Sequence, residues 1–305
     1  MPEQVVPPKG EAEQVKAVST HHIRFSPANR ARSPIAAVRE LVDYAPFIGY
    51  LTRRQLRTTY NRSYLGWIWA LLNPIIVLAI YSLVFGVILL VDRANLGNSP
   101  TGLDSFPHFL FSGLVFWGLF NQVSLGIMTD FQNSVLLRKK LYFPAAAPAI
   151  AMAASIVVES LLEVAVLIAF YVAVGNVGLP ILLLPFVMFI AVTFGVGVGL
   201  LLAVPNVRYR DVGYLYALFL RLFFYLTPII WPFAMITNRI GNVWVQRAAE
   251  WNPMAKMVHV ARTITYDIAW PDPTDVVYLL VVSLGVFALG FTVFNRQAAD
   301  ATEGL

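Results

Sequence analysis

The 305-residue sequence contains no cysteine, and only 13% of its residues are Asp, Glu, Lys or Arg. Without thiols there is no disulfide framework, no Cys-based metal site and no thiol nucleophile. The charged share is about half of the roughly 25% usual for soluble domains. A phosphate-cradling G-x-x-x-x-G-K-[ST] loop is also missing, since none of the five lysines follows a glycine. That excludes a P-loop in this chain. The four histidines, His21, His22, His108 and His259, have no metal-ligand spacing with carboxylates, and no Ser/His/Asp constellation can be argued. What the chain has in abundance is hydrophobic residues, 58% of the total, in continuous rather than alternating runs. Inside a bilayer only helices and closed barrels satisfy every backbone polar group. Continuous runs specify helices, so the expected fold is an all-α integral membrane protein.

Spanning takes about 20 mainly apolar residues. Six runs qualify: 65–91, 109–128, 145–174, 179–204, 213–231 and 276–294. The first contains Asn73-Pro74, where the missing N–H and the ring of proline should kink the helix. The third is long enough to tilt or to begin in the interface at Pro144. Residues 1–40 are polar, bear prolines and lack an apolar h-region, so a mobile tail is expected there.

The positions of Lys and Arg set the orientation. With the amino terminus inside, sixteen lie on the cytoplasmic side: ten in 1–64, three at Arg138–Lys140, Arg208, Arg210 and Arg296. Five lie outside (Arg93, Arg239, Arg247, Lys256, Arg262), and Arg221 falls within a span. The positive-inside rule therefore puts both termini in the cytoplasm.

Two further elements follow from periodicity. In 41–57, Leu41, Tyr44, Phe47, Ile48 and Leu51 fall on one face of a helix, while Arg53, Arg54 and Arg57 cluster opposite. Such a helix lies in the plane of the membrane surface. The outer segment 232–275 is too long and too aromatic for a simple loop. Two short helices, near 235–250 and 254–266, dipping back into the outer leaflet are expected. The expected organisation is a tail (1–40), an amphipathic interface helix (41–63) and a six-span transmembrane domain (64–305). Asp272-Pro273-Thr274-Asp275 stands where the last span needs an N-cap.

Four ordered stretches carry a resemblance. The first is Tyr64-Leu65-Gly66-Trp67-Ile68-Trp69-Ala70-Leu71-Leu72-Asn73-Pro74, directly after the basic helix. The second is Leu136-Leu137-Arg138-Lys139-Lys140-Leu141-Tyr142-Phe143-Pro144. Val207-Arg208-Tyr209-Arg210-Asp211-Val212 with Tyr225-Leu226-Thr227-Pro228-Ile229-Ile230-Trp231-Pro232 is the third, and Asn252-Pro253-Met254 the fourth. In a six-span frame these resemble the membrane subunit of ABC exporters for polysaccharides, O-antigens and teichoic acids. The polar extension and Ala/Val-rich style resemble actinobacterial members, including exporters of cell-wall galactan. The resemblance implies a homodimeric permease working with two copies of a separate ATPase, which would bind ATP and Mg; this chain itself needs no cofactor. It also implies a polyprenyl-pyrophosphate-linked glycan as cargo, and no nucleic acid.

Candidate residues follow from chemistry and from this likeness. Val135, Leu136 and Leu137, beside Arg138, Lys139 and Lys140, form a cytoplasmic segment that Asn133 or Ser134 can cap. The basic residues fit an ordinary positive-inside anchor, but the exposed apolar cluster fits a partner, and the resemblance makes that partner the ATPase. Arg53, Arg54 and Arg57, with Trp67 and Trp69, sit at headgroup level. Their guanidinium forks suit a lipid pyrophosphate, or equally anionic headgroups, worth about 1 kcal/mol per charge.

Glu159, Glu163 and Arg221 are intramembrane charges. Each costs about 2.5–3.5 kcal/mol at mid-bilayer on insertion scales and needs a partner or water. An ion pair joining Glu159 to Arg221 across spans 3 and 5 is favoured over sugar contact. Tyr216, Phe219 and Phe223 form an aromatic stripe that either packs the helices or lines a glycan path; Tyr214 and Tyr225 flank Arg221 on another face. Two rival readings remain: a polyprenyl-dependent glycosyltransferase using Asp92 and Asp104, and an ABC exporter of a drug or small lipid.

Overall fold

Apolar stretches punctuated by proline and by capping Asn and Asp residues build a helical protein. The computed structural model describes residues 34–60, 68–88, 100–138, 143–209, 211–232 and 243–298, all within the unit Ser33–Leu305. Among the described residues there is no strand. The helices are α1 (Pro34–Asp43), α2 (Ala45–Tyr60), α3 (Ile68–Tyr81, continued by a π-helical segment Ser82–Ile88), α4 (Phe106–Arg138) and α5 (Ala147–Ala173). A short 3-10 helix, Leu179–Leu183, leads into α6 (Leu184–Arg208). Then come α7 (Asp211–Leu226), α8 (Val243–Glu250), α9 (Pro253–Thr265) and α10 (Pro273–Gln297).

Four helical segments are long and apolar enough to cross a bilayer: Phe106–Ser134, Ala147–Ala173, Leu179–Arg208 and Pro273–Gln297. They coincide with the second, third, fourth and sixth expected spans. The other two expected spans correspond to α3 with its π segment and to α7. At 1.5 Å per residue, the 16-residue α7 is about 24 Å long, short of the roughly 30 Å hydrocarbon core. Residues 89–99, which complete the expected first span and carry Asp92 and Arg93, lie outside the described residues.

α4 is the central post, with 67% of its most apolar window buried against 22% in α10. α6 packs along it, and α10 packs along α6. The α6–α10 crossing brings backbone against backbone: a Cβ on Gly197 would come 2.6 Å from the amide nitrogen of Phe287, and one on Gly290 would strike the Gly197 carbonyl. Small residues permit such close approach, which replaces the absent hydrophobic drive between helices in lipid. At the other end of α6, buried Asn206 donates to the Met128 carbonyl (3.4 Å) and to Gln132 Oε1 (3.2 Å) of α4.

Pro74 lies inside α3, where it removes one intrahelical hydrogen bond. The wider π-helical segment follows eight residues later, with Ser82 Oγ donating back to the Leu78 carbonyl (2.6 Å). Irregularities of this kind are where membrane helices bend.

Residues 41–57, expected as one helix, are split between α1 and α2, which meet at Tyr44. The expected tail boundary at residue 40 therefore falls inside α1, because Pro34 starts the helix in the position where its missing N–H costs nothing. Residues 1–33 lie outside the described residues. Leu41 is buried and Tyr44, Phe47, Ile48 and Leu51 are half-buried, while Arg53, Arg54 and Arg57 are exposed. The apolar face rests on the start of α5: Phe47 stacks near Phe143 (centroids 5.5 Å), Thr52 Oγ1 donates to the Ala151 carbonyl (3.4 Å), and Gln55 Nε2 reaches Met152 Sδ (3.5 Å).

α9 and α10 each start at a capping side chain, the second of them at the Asp272 expected for it. Asn252 Oδ1 accepts from the amides of Met254 (2.9 Å) and Ala255 (3.4 Å) to start α9. Asp272 Oδ1 accepts from the Thr274 amide (2.8 Å) and hydroxyl (2.9 Å) to start α10. These bonds to the charged form hold the Asp272 carboxyl below its ordinary range. Lys256 of α9 pairs with Asp275 of α10 and lies 5.5 Å from the Tyr278 ring.

Candidate functional site

α3, α4 and α7 enclose a cavity of about 420 Å³. α4 contributes Trp117, Asn121 and Leu125, four residues apart and hence on one stripe. α7 contributes Leu220, Arg221, Phe224 and Tyr225, and α3 contributes Tyr81. The lining combines a cation, an amide, two phenols and an indole within otherwise apolar helices. Arg221 is exposed on the open side. Such a wall can hold an anion or hydroxyls while its rings stack on an apolar or sugar face.

The ion pair expected between Glu159 and Arg221 is not formed, and that expectation is corrected. Glu163 instead lies beside Gln122 of α4, and Glu159 is its near neighbour one turn away on α5. Arg221 faces the cavity. The pairing failed on rotation: α7 turns Arg221 toward α3 and α4, and helix periodicity alone does not fix which neighbour a face meets.

The aromatic stripe is divided. Tyr216, Phe219 and Phe223 do stack in series, with centroids 6.3 and 5.2 Å apart and rings within 20° of parallel. Tyr216 is nonetheless buried, its hydroxyl donating to Ser124 Oγ of α4 (2.7 Å). Its part as channel lining is corrected to helix packing. Phe219 is 51% exposed, and on the other face Tyr214 and Tyr225 are 80% and 67% exposed.

Arg53, Arg54 and Arg57 are exposed on the face of α2 turned away from α5. Arg54 is close enough to Asp130 of α4 for the two charges to interact. Trp69 is 47% exposed at the start of α3; Trp67 lies outside the described residues. Asn133 and Ser134 do not cap the start of the segment that begins at Val135, and this too is a correction. α4 runs through them to Arg138, and Ser134 Oγ donates back to the Phe131 carbonyl (2.9 Å). A serine can bond within its own helix in this way, so its presence does not mark an end. The side chains of Val135, Leu136, Leu137 and Arg138, and all of Lys139 and Lys140, lie outside the described residues.

Sequence reasoning missed the most buried cation among the described residues. Arg262 of α9, 6% exposed, donates Nε to the Phe109 carbonyl of α4 (3.0 Å), Nη1 to Pro228 (2.6 Å) and Nη2 to Ile229. Its guanidinium stands 3.5 Å from the Phe109 ring centroid. A guanidinium is too strong a base to lose its proton in a protein, so the charge is kept. Beside it, Tyr171 donates to the His108 carbonyl (3.0 Å), and Ser112 shares bonds with Tyr171 (2.8 Å) and Thr265 (3.0 Å). Asn176 donates to the carbonyls of Thr265 and Tyr266, both 3.0 Å. The signal was present: Arg262 shares a helix face with Met254, Val258 and Thr265, an apolar position for a cation.

A helical bundle with four helices long and apolar enough to cross a bilayer, and a cavity of mixed polar and aromatic lining among its helices, defines a multi-pass membrane protein. Residues 47–266 match the ABC-2 type transporter family, and the chain belongs to it. It is similar over 272 residues (26% identity, 89% of this chain and all of the relative) to the O-antigen export system permease protein RfbA of Myxococcus xanthus. The protein of the same name from Klebsiella pneumoniae is 24% identical, covering 81% of this chain and 90% of its own length. The polysialic acid transport protein KpsM of Escherichia coli is 22% identical, covering 82% and 93%. The chain is thus a transport component rather than an enzyme; in this family the ATPase is a separate subunit.

Proposed function

We propose that this chain is the membrane subunit of an ATP-driven polysaccharide exporter, and that its cargo is a glycan carried on polyprenyl pyrophosphate. The relatives named for O-antigen and polysialic acid export support the polysaccharide class. The observation that carries the reading further is the cavity joining Arg221 and Asn121 to Trp117, Tyr81 and Tyr225. A glycan with a charged lipid anchor needs both polar and stacking surfaces inside the membrane, whereas a purely apolar drug needs neither the cation nor the amide. Cell-wall galactan is the particular cargo suggested by the style of the sequence.

In this reading α3 with its π segment and α7 also cross the bilayer, giving six spans with both termini in the cytoplasm. α8 and α9 re-enter the outer leaflet. Two copies form the permease and two ATPase subunits dock beneath, against the exposed face of α2 and the end of α4. Arg53, Arg54 and Arg57, with Trp67 and Trp69, receive the pyrophosphate at the inner surface. Movement of α2 off α5 opens a lateral entry, and Pro74 lets α3 bend.

Depleting the chain in its host tests the function. Lipid-linked glycan should accumulate on the cytoplasmic leaflet, measured by its resistance to a periplasm-restricted or externally added glycosidase. Unchanged exposure of the glycan outside would refute the reading.

A further inference from the structure

Arg221 is the only charge in α7 after Asp211, and no carboxylate among the described residues pairs with it. A cation on an apolar helix needs water or an anion, and here it borders a cavity able to hold one. We propose that this cavity is an intramembrane phosphate subsite: Arg221 engages the anion with its fork, and Asn121 and Tyr225 supply further hydrogen-bond donors.

Three features favour a phosphate over other occupants. A guanidinium offers two parallel N–H groups matched to two oxygens of one phosphate. The remaining donors of the wall are neutral, so the site carries one positive charge and no competing negative one. Trp117 and Phe224 line the same space and give an apolar surface for whatever the phosphate carries. On the same helix Leu218, Leu222 and Tyr225 are exposed, so an isoprenoid tail can stay among lipid chains while its headgroup enters.

The natural ligand so inferred rests on the lipid-linked cargo proposed above, and it adds a second phosphate station, separate from the arginines of α2. Glycan passing along the bundle would release its anchor from one and meet the other, so the anchor never lies unpaired in hydrocarbon.

Isothermal titration of the full-length chain in phosphatidylcholine nanodiscs tests the subsite without ATPase or export. The probes are farnesyl pyrophosphate, inorganic pyrophosphate and farnesol. Farnesyl pyrophosphate should bind saturably, Arg221→Gln should weaken it at least tenfold, Arg221→Lys should do so less, and Asn121→Leu should weaken it severalfold. Arg247→Gln, on exposed α8, should leave it unchanged. Inorganic pyrophosphate binding with the same dependence on Arg221 also supports the subsite and assigns the anion to a soluble source. Farnesyl pyrophosphate binding alone assigns it to a lipid. Equal affinity in the wild type, Arg221→Gln and Asn121→Leu, equal binding of farnesol, or no saturable binding of either phosphate overturns the proposal. An export defect on depletion combined with such a result would retain the exporter and discard only the subsite.

Discussion

Arg262 donates to the Pro228 carbonyl at 2.6 Å, tying α9 to the turn that ends α7. With its bonds to Phe109 and Ile229, this one side chain joins three segments distant in sequence. Hydrogen bonds from a charged donor contribute about 1.5–3 kcal/mol each. Arg262→Leu, which orphans three carbonyls, should therefore cost about 3 kcal/mol or more. Gly113→Ala should be milder but in the same direction, since its Cβ would lie 2.9 Å from Arg262 Nη2. Thermal unfolding in detergent checks both; unchanged midpoints would show that the pin is dispensable.

The Gly197–Gly290 crossing makes a sharper forecast. Gly290→Val places a branched side chain where the α6 backbone stands. Overpacking of this kind costs about 1–3 kcal/mol, and no flexible side chain can give way. Gly285, with nothing within 4 Å of its added Cβ, is the control: Gly285→Ala should be neutral or slightly stabilising, because alanine is the better helix former. Yields of folded protein by size-exclusion chromatography separate the two.

Tyr216 and Phe219 are neighbours on one stripe with different work. Tyr216→Phe removes the bond to Ser124 and should lower stability by about 1 kcal/mol or less while leaving transport intact. Phe219→Ala removes an exposed ring and should impair transport with little loss of stability. The reverse pattern would return Tyr216 to the channel.

Much of the scaffold was legible because it depends on local chemistry. Asp272 caps the helix it precedes, and the apolar and basic faces of 41–57 separate as their spacing requires. Continuous apolar runs located the four long spans. What could not be read depends on rotation and neighbour choice. Arg221 turns from Glu159 toward a cavity, Ser134 lies within a helix, and Arg262, counted among the charges of the outer side, is buried. The cavity itself is made of single residues from three helices: Tyr81, Asn121 and Arg221. No one stretch of sequence announces it.

The packing of α2 also decides where a partner can touch it. Leu51 faces α5 and is half-buried, whereas Tyr50 is 63% exposed. In a chain with no cysteine, Tyr50→Cys should crosslink to the ATPase and Leu51→Cys much less. Equal yields, or labelling of Tyr50→Cys only by reagents at the outer surface, would place the helix elsewhere.

Proteoliposomes test the central claim most directly. The chain is reconstituted with its ATPase, and polyprenyl-pyrophosphate-linked polysaccharide is supplied in the leaflet facing the ATPase. Transfer of glycan to the opposite leaflet should require both subunits and hydrolysable ATP, and should fall in Arg54→Ala and Arg57→Ala. The chain alone should hydrolyse no ATP. Glycan transfer by the chain without the ATPase, or ATP hydrolysis by the complex with no movement of any lipid-linked polysaccharide, would contradict the account.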